Sequence, residues 1–412
     1  NLHGSRADRN TSTALNQLYD RWVEEVEEGN MLGVLFCDQS AAFDLCDHNI
    51  LIDKLKLMGL ESSALCWVKS YLSRRKQSCF VDGELSDALD LFDCGVPQGS
   101  IGGPLLWVCF TCDQPDVVHD HPVVGHGLDR GCGDMAQESR STPGQGNCGE
   151  LVGYVDDGAY SFAHTDPTVL SRVLTEKYNL LEQWMNNNKL VINPDKTHMM
   201  VMGNKNVEPL RQQISMMAGN FTIRPTKTEK LLGGQVHQSL KWNQHLTDGK
   251  TSLVKQLTGR INGLKRISRN AGFSTRLMVA NGAILSKLVY LITVWGGAKQ
   301  YLLKALQVQQ LNAARTVCGF HSRGWSKRRL LKRVGWMSVC QLIFFHTVLQ
   351  AHKTLTTGVP RPTRGNIRLG EEESSIKTFK DRAMIFYNSV PGTAKTGSLP
   401  TVKRKLKQWT LE

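Results

Sequence analysis

Leu151-Val152-Gly153-Tyr154-Val155-Asp156-Asp157-Gly158-Ala159-Tyr160-Ser161-Phe162 joins two short runs rich in Val, Tyr and Phe through an Asp-Asp-Gly junction. β-branched and aromatic residues favour strands, and Asp-Gly tolerates the positive φ that a tight hairpin turn demands. The spacing predicts a β-hairpin with Asp-Asp-Gly as its turn and two carboxylates side by side at an exposed tip. A solvated turn is the plain reading of such a tip. The neighbouring stretches decide whether it means more.

Upstream, Met31-Leu32-Gly33-Val34-Leu35-Phe36-Cys37-Asp38 is an apolar run ending in a carboxylate, the pattern of a buried strand with Asp38 at its end. A helix is expected over 13–28 before it, stopped by Gly29-Asn30, and two more over 48–58 and 62–71 after it. The basic cluster Arg74-Arg75-Lys76 leads into a β-like Ser78–Val81. A Gly/Pro-dense loop, Gly95–Pro104, precedes the apolar run Leu105–Phe110, and residues 113–149 lack periodicity. Beyond the hairpin the pattern gives a helix over Val169–Met185, a strand at His198–Met202 and short strands and turns over 221–242. From 247 to about 355 the chain reads as helical and basic. If the two strand regions are neighbours in one sheet, Asp38, Asp156 and Asp157 converge on one rim. Hard oxygen ligands without His or Cys favour magnesium or manganese, and two such ions suit phosphoryl transfer.

At 412 residues the chain can hold two or three domains, and 41% hydrophobic with 21% charged residues is an ordinary globular composition. The net charge of +13 is unevenly spread: residues 1–246 sum to −10 and residues 247–412 to +23. An acidic half suits a cation-collecting site, and a basic half suits a surface that holds a polyanion. Eleven cysteines in apolar contexts fit reduced, intracellular thiols rather than a secreted disulfide framework. The longest apolar run, near 283–297, is broken by Lys287, so neither membrane insertion nor secretion is expected.

Four blocks in this order carry a resemblance: Asp38 with Phe43, the Gly95–Pro104 loop, Tyr154–Asp157, and Asn193–Thr197. They resemble the blocks of reverse transcriptases. Gln39-Ser40-Ala41-Ala42-Phe43-Asp44 with Asp47-His48 is similar to the polymerase of LINE-type, non-LTR retrotransposons near the jockey and CR1 groups. The similarity runs from about Gly4 to the C-terminus. It implies an α+β, right-hand polymerase with a ferredoxin-like palm, partial fingers and a helical thumb. Partial fingers and palm would span 1–225, with an irregular insertion at about 113–149. A primer-grip hairpin (around Leu231-Leu232-Gly233) and thumb would span 226–345, and a basic C-terminal region 346–412.

Carried residue by residue, the resemblance makes Asp38, Asp156 and Asp157 the ligands of two Mg2+ (or Mn2+) ions. Phe43 becomes the steric gate under the incoming sugar, with Gln98, Gly99 and Tyr154 also near the nucleotide. Lys196 becomes the lysine that protonates leaving pyrophosphate. An ordinary core aromatic and an exposed turn lysine remain the plain alternatives for Phe43 and Lys196. Implied partners are an RNA template, a DNA primer, dNTPs and a retroelement RNA, in the nucleus or a cytoplasmic ribonucleoprotein. Arg74, Arg75, Lys327, Arg328, Arg329, Lys332 and Arg333 are the candidates for nucleic-acid phosphates, with Trp242, Trp295, Trp325 and Trp336 interspersed and Trp295 the best candidate for core.

The chain departs from the family pattern at three places. Gly102 stands where a core Leu is expected. The link from 107 to 150 is long and irregular. The chain starts at Asn1 near the block Gly4-Ser5-Arg6, so truncated fingers are expected. Cys109, Cys112, His119, His121, His126, Cys132 and Cys148 contain one Cys-x2-Cys spacing but no regular second pair, and Cys109 and Cys112 fall where the family has core. The leading reading is an RNA-directed DNA polymerase. A truncated remnant that only binds nucleic acid is the main alternative, and an RNA-product polymerase or intron maturase a third, disfavoured by Phe43 and Tyr154-Val155.

Overall fold

The apolar run at 31–38 forms β1 (Met31–Asp38), with a strand on each side, as a strand without polar alternation requires. The computed structural model describes residues 8–38, 43–90, 94–117, 150–154, 157–192, 196–356 and 378–411. The other strands of the sheet are β2 (Glu150–Tyr154), β3 (Asp157–His164), β4 (His198–Met202) and β5 (Pro225–Thr226), in the spatial order β5-β4-β1-β3-β2. β3 and β4 flank β1 antiparallel to it, β2 is antiparallel to β3, and β5 is parallel to β4.

Among the described residues, the α-helices before residue 228 are α1 (Thr11–Glu27), α2 (His48–Leu57), α3 (Ser62–Leu72), α4 (Gly102–Phe110) and α5 (Pro167–Asn187). One core joins Met31, Leu35 and Cys37 of β1, Tyr160 and Phe162 of β3, and Leu170, Leu174, Tyr178 and Leu181 of α5. Gly33 lies under α5, where a Cβ would come 2.8 Å from Leu174 Cδ1, so the missing side chain lets the helix approach the sheet. Asp166 starts α5 by accepting from the amides of Thr168 and Val169 at 2.7 and 3.2 Å. Lys54 of α2 donates to Phe110 O and to Asp113 Oδ1, both at 2.7 Å, and stands 5.0 Å from the ring centres of Phe110 and Trp184. One ammonium thereby ties α2, α4 and α5 together.

The chain divides into two units, one of Asn1–Ala14 with Glu25–Lys227 and the other of Leu15–Glu24 with Thr228–Glu412. The longer segment of the second unit opens with a hairpin of two-residue loop, β6 (Thr228–Leu231) and β7 (Gly234–His237), turning at Leu232 and Gly233 with φ of +47° and +77°. Its principal helices are α6 (Leu253–Ile267), α7 (Phe273–Ala280), α8 (Gln300–Cys318), α9 (Lys327–Val334), α10 (Val339–Thr356), α11 (Phe379–Ser389) and α12 (Leu399–Leu411). Asp20 accepts from the first amides of α11, Phe379 and Lys380, at 2.7 and 3.0 Å. No single described helix is long and apolar enough to cross a membrane.

Several local expectations need correction. The hairpin at 150–164 exists, but Tyr154 already pairs with Asp157, so Asp157 and Gly158 are strand residues rather than the turn. The Asp-Gly rule marks residues that can turn, and cross-strand pairing decides which ones do. Ser78 and Cys79 are outside any strand; only Phe80–Val81 pairs, with Glu84–Leu85, on an exposed surface. Cys112 is exposed and Cys109 half-buried, so the pair is not core. Gly102 is half-buried against Tyr71 of α3, and leaves no hole in the core. Of the four tryptophans, Trp242 and Trp336 are buried along with Trp295.

The two adjacent glycines of α4 give opposite predictions. A Cβ at Gly102 would touch the Tyr71 ring at ordinary distances of 3.5–3.7 Å, whereas one at Gly103 would meet Pro97 O at 2.4 Å. Gly102→Ala is expected to stabilise by about 0.5–1 kcal/mol, through helix propensity and reduced unfolded-state freedom. Gly103→Ala should cost about 2 kcal/mol, because backbone must move. Denaturant midpoints of the two variants measure this.

Candidate active site

The ladder between β1 and β3 brings the backbone positions of Asp38 and Asp157 to one end of the sheet. In the β1–β3 ladder Asp38 is the Cα partner of Asp157, and Tyr154 faces Asp157 from β2. Antiparallel partners stand about 4.5–5.5 Å apart at Cα, close enough for two side chains to share a ligand. β4 runs back along the other side of β1, with His198 opposite Phe36. Lys196, two residues before β4, is therefore carried to the same end, where it is exposed, and Thr197 beside it is buried. Asp156, Gln39–Ala42 and Asn193-Pro194-Asp195 lie outside the described residues.

The buried side of this sheet end adds no charge. Burial pushes the Cys37 thiol far up, and it does the same to the Tyr160 hydroxyl, which accepts from Gln114 Nε2 at 2.9 Å. The residues paired in register here, Asp38 and Asp157, are both of the carboxylate type, the hard-oxygen chemistry that suits Mg2+ or Mn2+. Among the described residues no group of three His, Cys, Asp or Glu side chains is assembled for a metal. His119, His121, His126, Cys132 and Cys148 lie outside the described residues.

A cleft of about 630 Å³ is lined by Asp44, Arg75, Gln77, Asp90, Cys94, Gly95, Val96, Pro97 and Gln98. Its floor is tied to the chain after β1: Val96 N donates to Phe43 O and Gly95 N to Cys46 O, each at 2.8 Å. Gly95 has φ +87°, and a Cβ there would press on Asp44 O at 3.1 Å. Its carbonyl accepts from Arg75 Nη1 at 3.0 Å and from His48 Nε2 at 2.8 Å. Gln98 Nε2 donates to Asp44 Oδ1 at 3.3 Å, and Gly99 with φ +80° keeps the loop open beside it. Phe43 is half-buried and stacks on Trp107 of α4, centroids 5.5 Å apart. Arg74 is exposed, with φ +54°.

Asp47 and Lys189, absent from the expected set, brace this floor. Asp47 accepts from the amides of Asn49 and Ile50 at 3.0 Å, capping α2, and pairs with Lys189 Nζ at 2.6 Å. Its backbone also bridges to Cys94. An Asp directly before an apolar helical run is the signal for that cap; Lys189, 142 residues away, has no sequence signal as its partner.

A family model for reverse transcriptase (RNA-dependent DNA polymerase) matches residues 1–236. The chain belongs to the reverse transcriptase family. It is similar to the RNA-directed DNA polymerase from mobile element jockey of Drosophila funebris, 25% identical over 318 residues, 77% of this chain and 31% of that one. It is also similar to the probable RNA-directed DNA polymerases from transposon BS (26% over 333 residues, 79% and 33%) and X-element (23% over 319 residues, 77% and 31%) of Drosophila melanogaster. These are non-LTR retrotransposons. This reverse transcriptase chain spans about a third of the length of those relatives. A solved telomerase structure from Candida albicans aligns over 86% of the chain and 53% of its own, at 12% identity and a TM-score of 0.30, too low for a fold-level comparison.

The Asp47 brace has a pH signature. Burial opposes its ionisation, but the Lys189 hydrogen bond and charge and the amides of Ile50 and Asn49 outweigh it, holding the carboxyl below its usual value. That stability is present above the unfolded value of about 3.9 and is lost as pH falls through the lowered folded value. Asp47→Asn keeps the cap but not the charge. It should cost roughly 1 kcal/mol at pH 7, a modest figure because Lys189 is 63% exposed, and nothing measurable near pH 2. Urea unfolding at the two pH values checks this.

Proposed function

We propose that this chain is the polymerase portion of an RNA-directed DNA polymerase of a non-LTR retrotransposon, adding dNTPs to a primer 3′-OH on an RNA template. The observation that carries the reading is the register pairing Asp38 with Asp157, with Tyr154 and Lys196 at the same sheet end. In this reading the five-stranded sheet and α5 are a ferredoxin-like palm, residues up to 225 hold it with partial fingers, the β6–β7 hairpin is the primer grip, and the helices after it are a thumb followed by a basic C-terminal region.

Asp38, Asp157 and Asp156 would hold two Mg2+ or Mn2+ ions. When bound, such ions neutralise the transferring phosphoryl group and favour deprotonation of the attacking hydroxyl. The chain's own side chains do the rest. Lys196 supplies a proton to the departing pyrophosphate. Gln98 and the open backbone at Gly99 lie along the nascent base pair, and Tyr154 supports the primer end. Phe43, held on Trp107, resists displacement and blocks a 2′-hydroxyl, so the product is DNA. Arg75 and Arg74 supply positive charge at the cleft, and Lys327, Arg328, Arg329, Lys332 and Arg333 hold backbone phosphates. The partners are then a retroelement RNA as template, its DNA primer and dNTPs, in the nucleus or a cytoplasmic ribonucleoprotein.

A primed RNA template with Mg2+ and labelled dNTPs tests the reading. The native chain should extend the primer. Asp157→Asn should lower extension by at least about a hundredfold, the equivalent of several kcal/mol of charge stabilisation, with template binding retained. Phe43→Ala should raise ribonucleotide incorporation about tenfold or more relative to native. Binding without extension by the native chain would favour the non-catalytic remnant. Extension unaffected by Asp157→Asn would remove the site assignment.

A further inference from the structure

We propose that the segment Phe320–Trp325 and the exposed flank of α9 form a docking site for unpaired nucleotides of a single strand, with Phe320 as the stacking platform. This goes beyond the polymerase reading and shares with it only the assignment of the basic half to nucleic acid.

The first observation is electrostatic. Residues 249–370 contain 21 Lys and Arg and not one Asp or Glu. No cation of this stretch has a carboxylate partner within it, so neutralisation must come from outside the segment, and a phosphate backbone is the polyanion that supplies it. α9 concentrates the effect: it buries Leu330, Leu331 and Val334 and exposes Lys327, Arg328, Arg329, Lys332 and Arg333.

The second observation is geometric. Phe320 is 71% exposed although it stands only two residues beyond the end of α8, a well-packed helix. The Arg323 guanidinium carbon stands 4.1 Å from its ring centroid, covering one face. Arg329 sits likewise over Trp325 at 4.3 Å and Arg333 over Phe273 at 4.4 Å. The platform is built, not loose. Gly319 turns the chain at φ +79°, buried Ser322 donates back to Gly319 O at 2.7 Å, and Trp325 N donates to Ser322 O at 3.1 Å. Ser326 then accepts from Arg329 N at 3.3 Å and starts α9.

A ring held by an arginine and still 71% exposed presents a π-surface to a flat partner. Every nucleobase has such a face, so the interaction is sequence-tolerant. In a duplex those faces are already stacked on neighbours, which selects for unpaired bases. The surrounding guanidinium and ammonium groups take the phosphates on either side. RNA and DNA strands share this chemistry.

Fluorescence anisotropy of the whole chain with a labelled oligo-A RNA, the matching DNA strand and a blunt RNA duplex, each over a salt series, tests the proposal. Phe320→Ala should weaken single-strand binding about tenfold, leaving duplex affinity and the slope of log K against log salt unchanged. Phe320→Trp should retain native affinity. Lys327→Ala with Arg328→Ala should instead flatten the single-strand slope by about 0.7 for each phosphate no longer neutralised. A Phe320→Ala loss on either strand supports the proposal, and the larger loss identifies the strand. If Phe320→Ala changes nothing, or weakens strand and duplex equally, stacking is overturned while a flattened slope in the Lys327/Arg328 variant keeps the nucleic-acid reading. Salt-independent binding by the native chain would remove both. Circular dichroism of Phe320→Ala should match native, since the ring contributes to no core.

Discussion

The pairing of β1 with β3 constrains everything at the candidate active site. Asp38 stands opposite Asp157 because Met31 stands opposite His164 and every residue between them is matched in turn. A slip of one residue would turn one of the two strands over and take either Leu35 and Cys37 or Tyr160 and Phe162 away from α5, undoing the packing of several buried side chains. Each buried apolar side chain of that size is worth about 1.5–3 kcal/mol, so the core opposes the slip far more strongly than two carboxylates at one end could favour it. Chemistry at the rim is thereby positioned by packing several residues away. Gly33 is part of the same constraint, since α5 could not settle over β1 with a side chain there.

Much of this was legible in the residues. An apolar run ending in Asp38 predicted a buried strand, the Val/Tyr/Phe runs around 156–158 predicted a hairpin, and the sheet makes the two neighbours. Periodicity alone could not locate the turn, because Asp157 and Gly158 suit a turn and yet are held in β3 by their partners Asp38 and Cys37. The Lys189 partner of Asp47 was invisible for a different reason: long-range ion pairs leave no local pattern. The tryptophans of the basic half misled in the opposite direction. Trp295 lies in the core as expected, but Trp242 and Trp336 are buried as well, and among the exposed rings is the less conspicuous Phe320.

The two units divide the electrostatic work. In the first, Asp38 and Asp157 are paired in register at a sheet end whose buried neighbours, Cys37 and Tyr160, stay neutral because burial disfavours their ionised forms. In the second, a run of more than a hundred residues carries no carboxylate at all. Under the proposed function, a cation-binding rim and a polyanion-binding surface would both be destabilised by self-repulsion while empty, and each would be relieved by its ligand. A polymerase on a nucleic-acid template brings both ligands at once.

Cleavage mapping with iron tests the sheet-end assignment most directly. Fe2+ substituted for Mg2+, with ascorbate and peroxide, cuts the backbone close to where the ion sits. Cuts are expected around Asp38, around Asp156 and Asp157, and near Lys196. They should be competed by Mg2+ and lost in Asp157→Asn. Cleavage confined to other parts of the chain, or unchanged in that variant, would contradict a metal site built on the Asp38–Asp157 pairing.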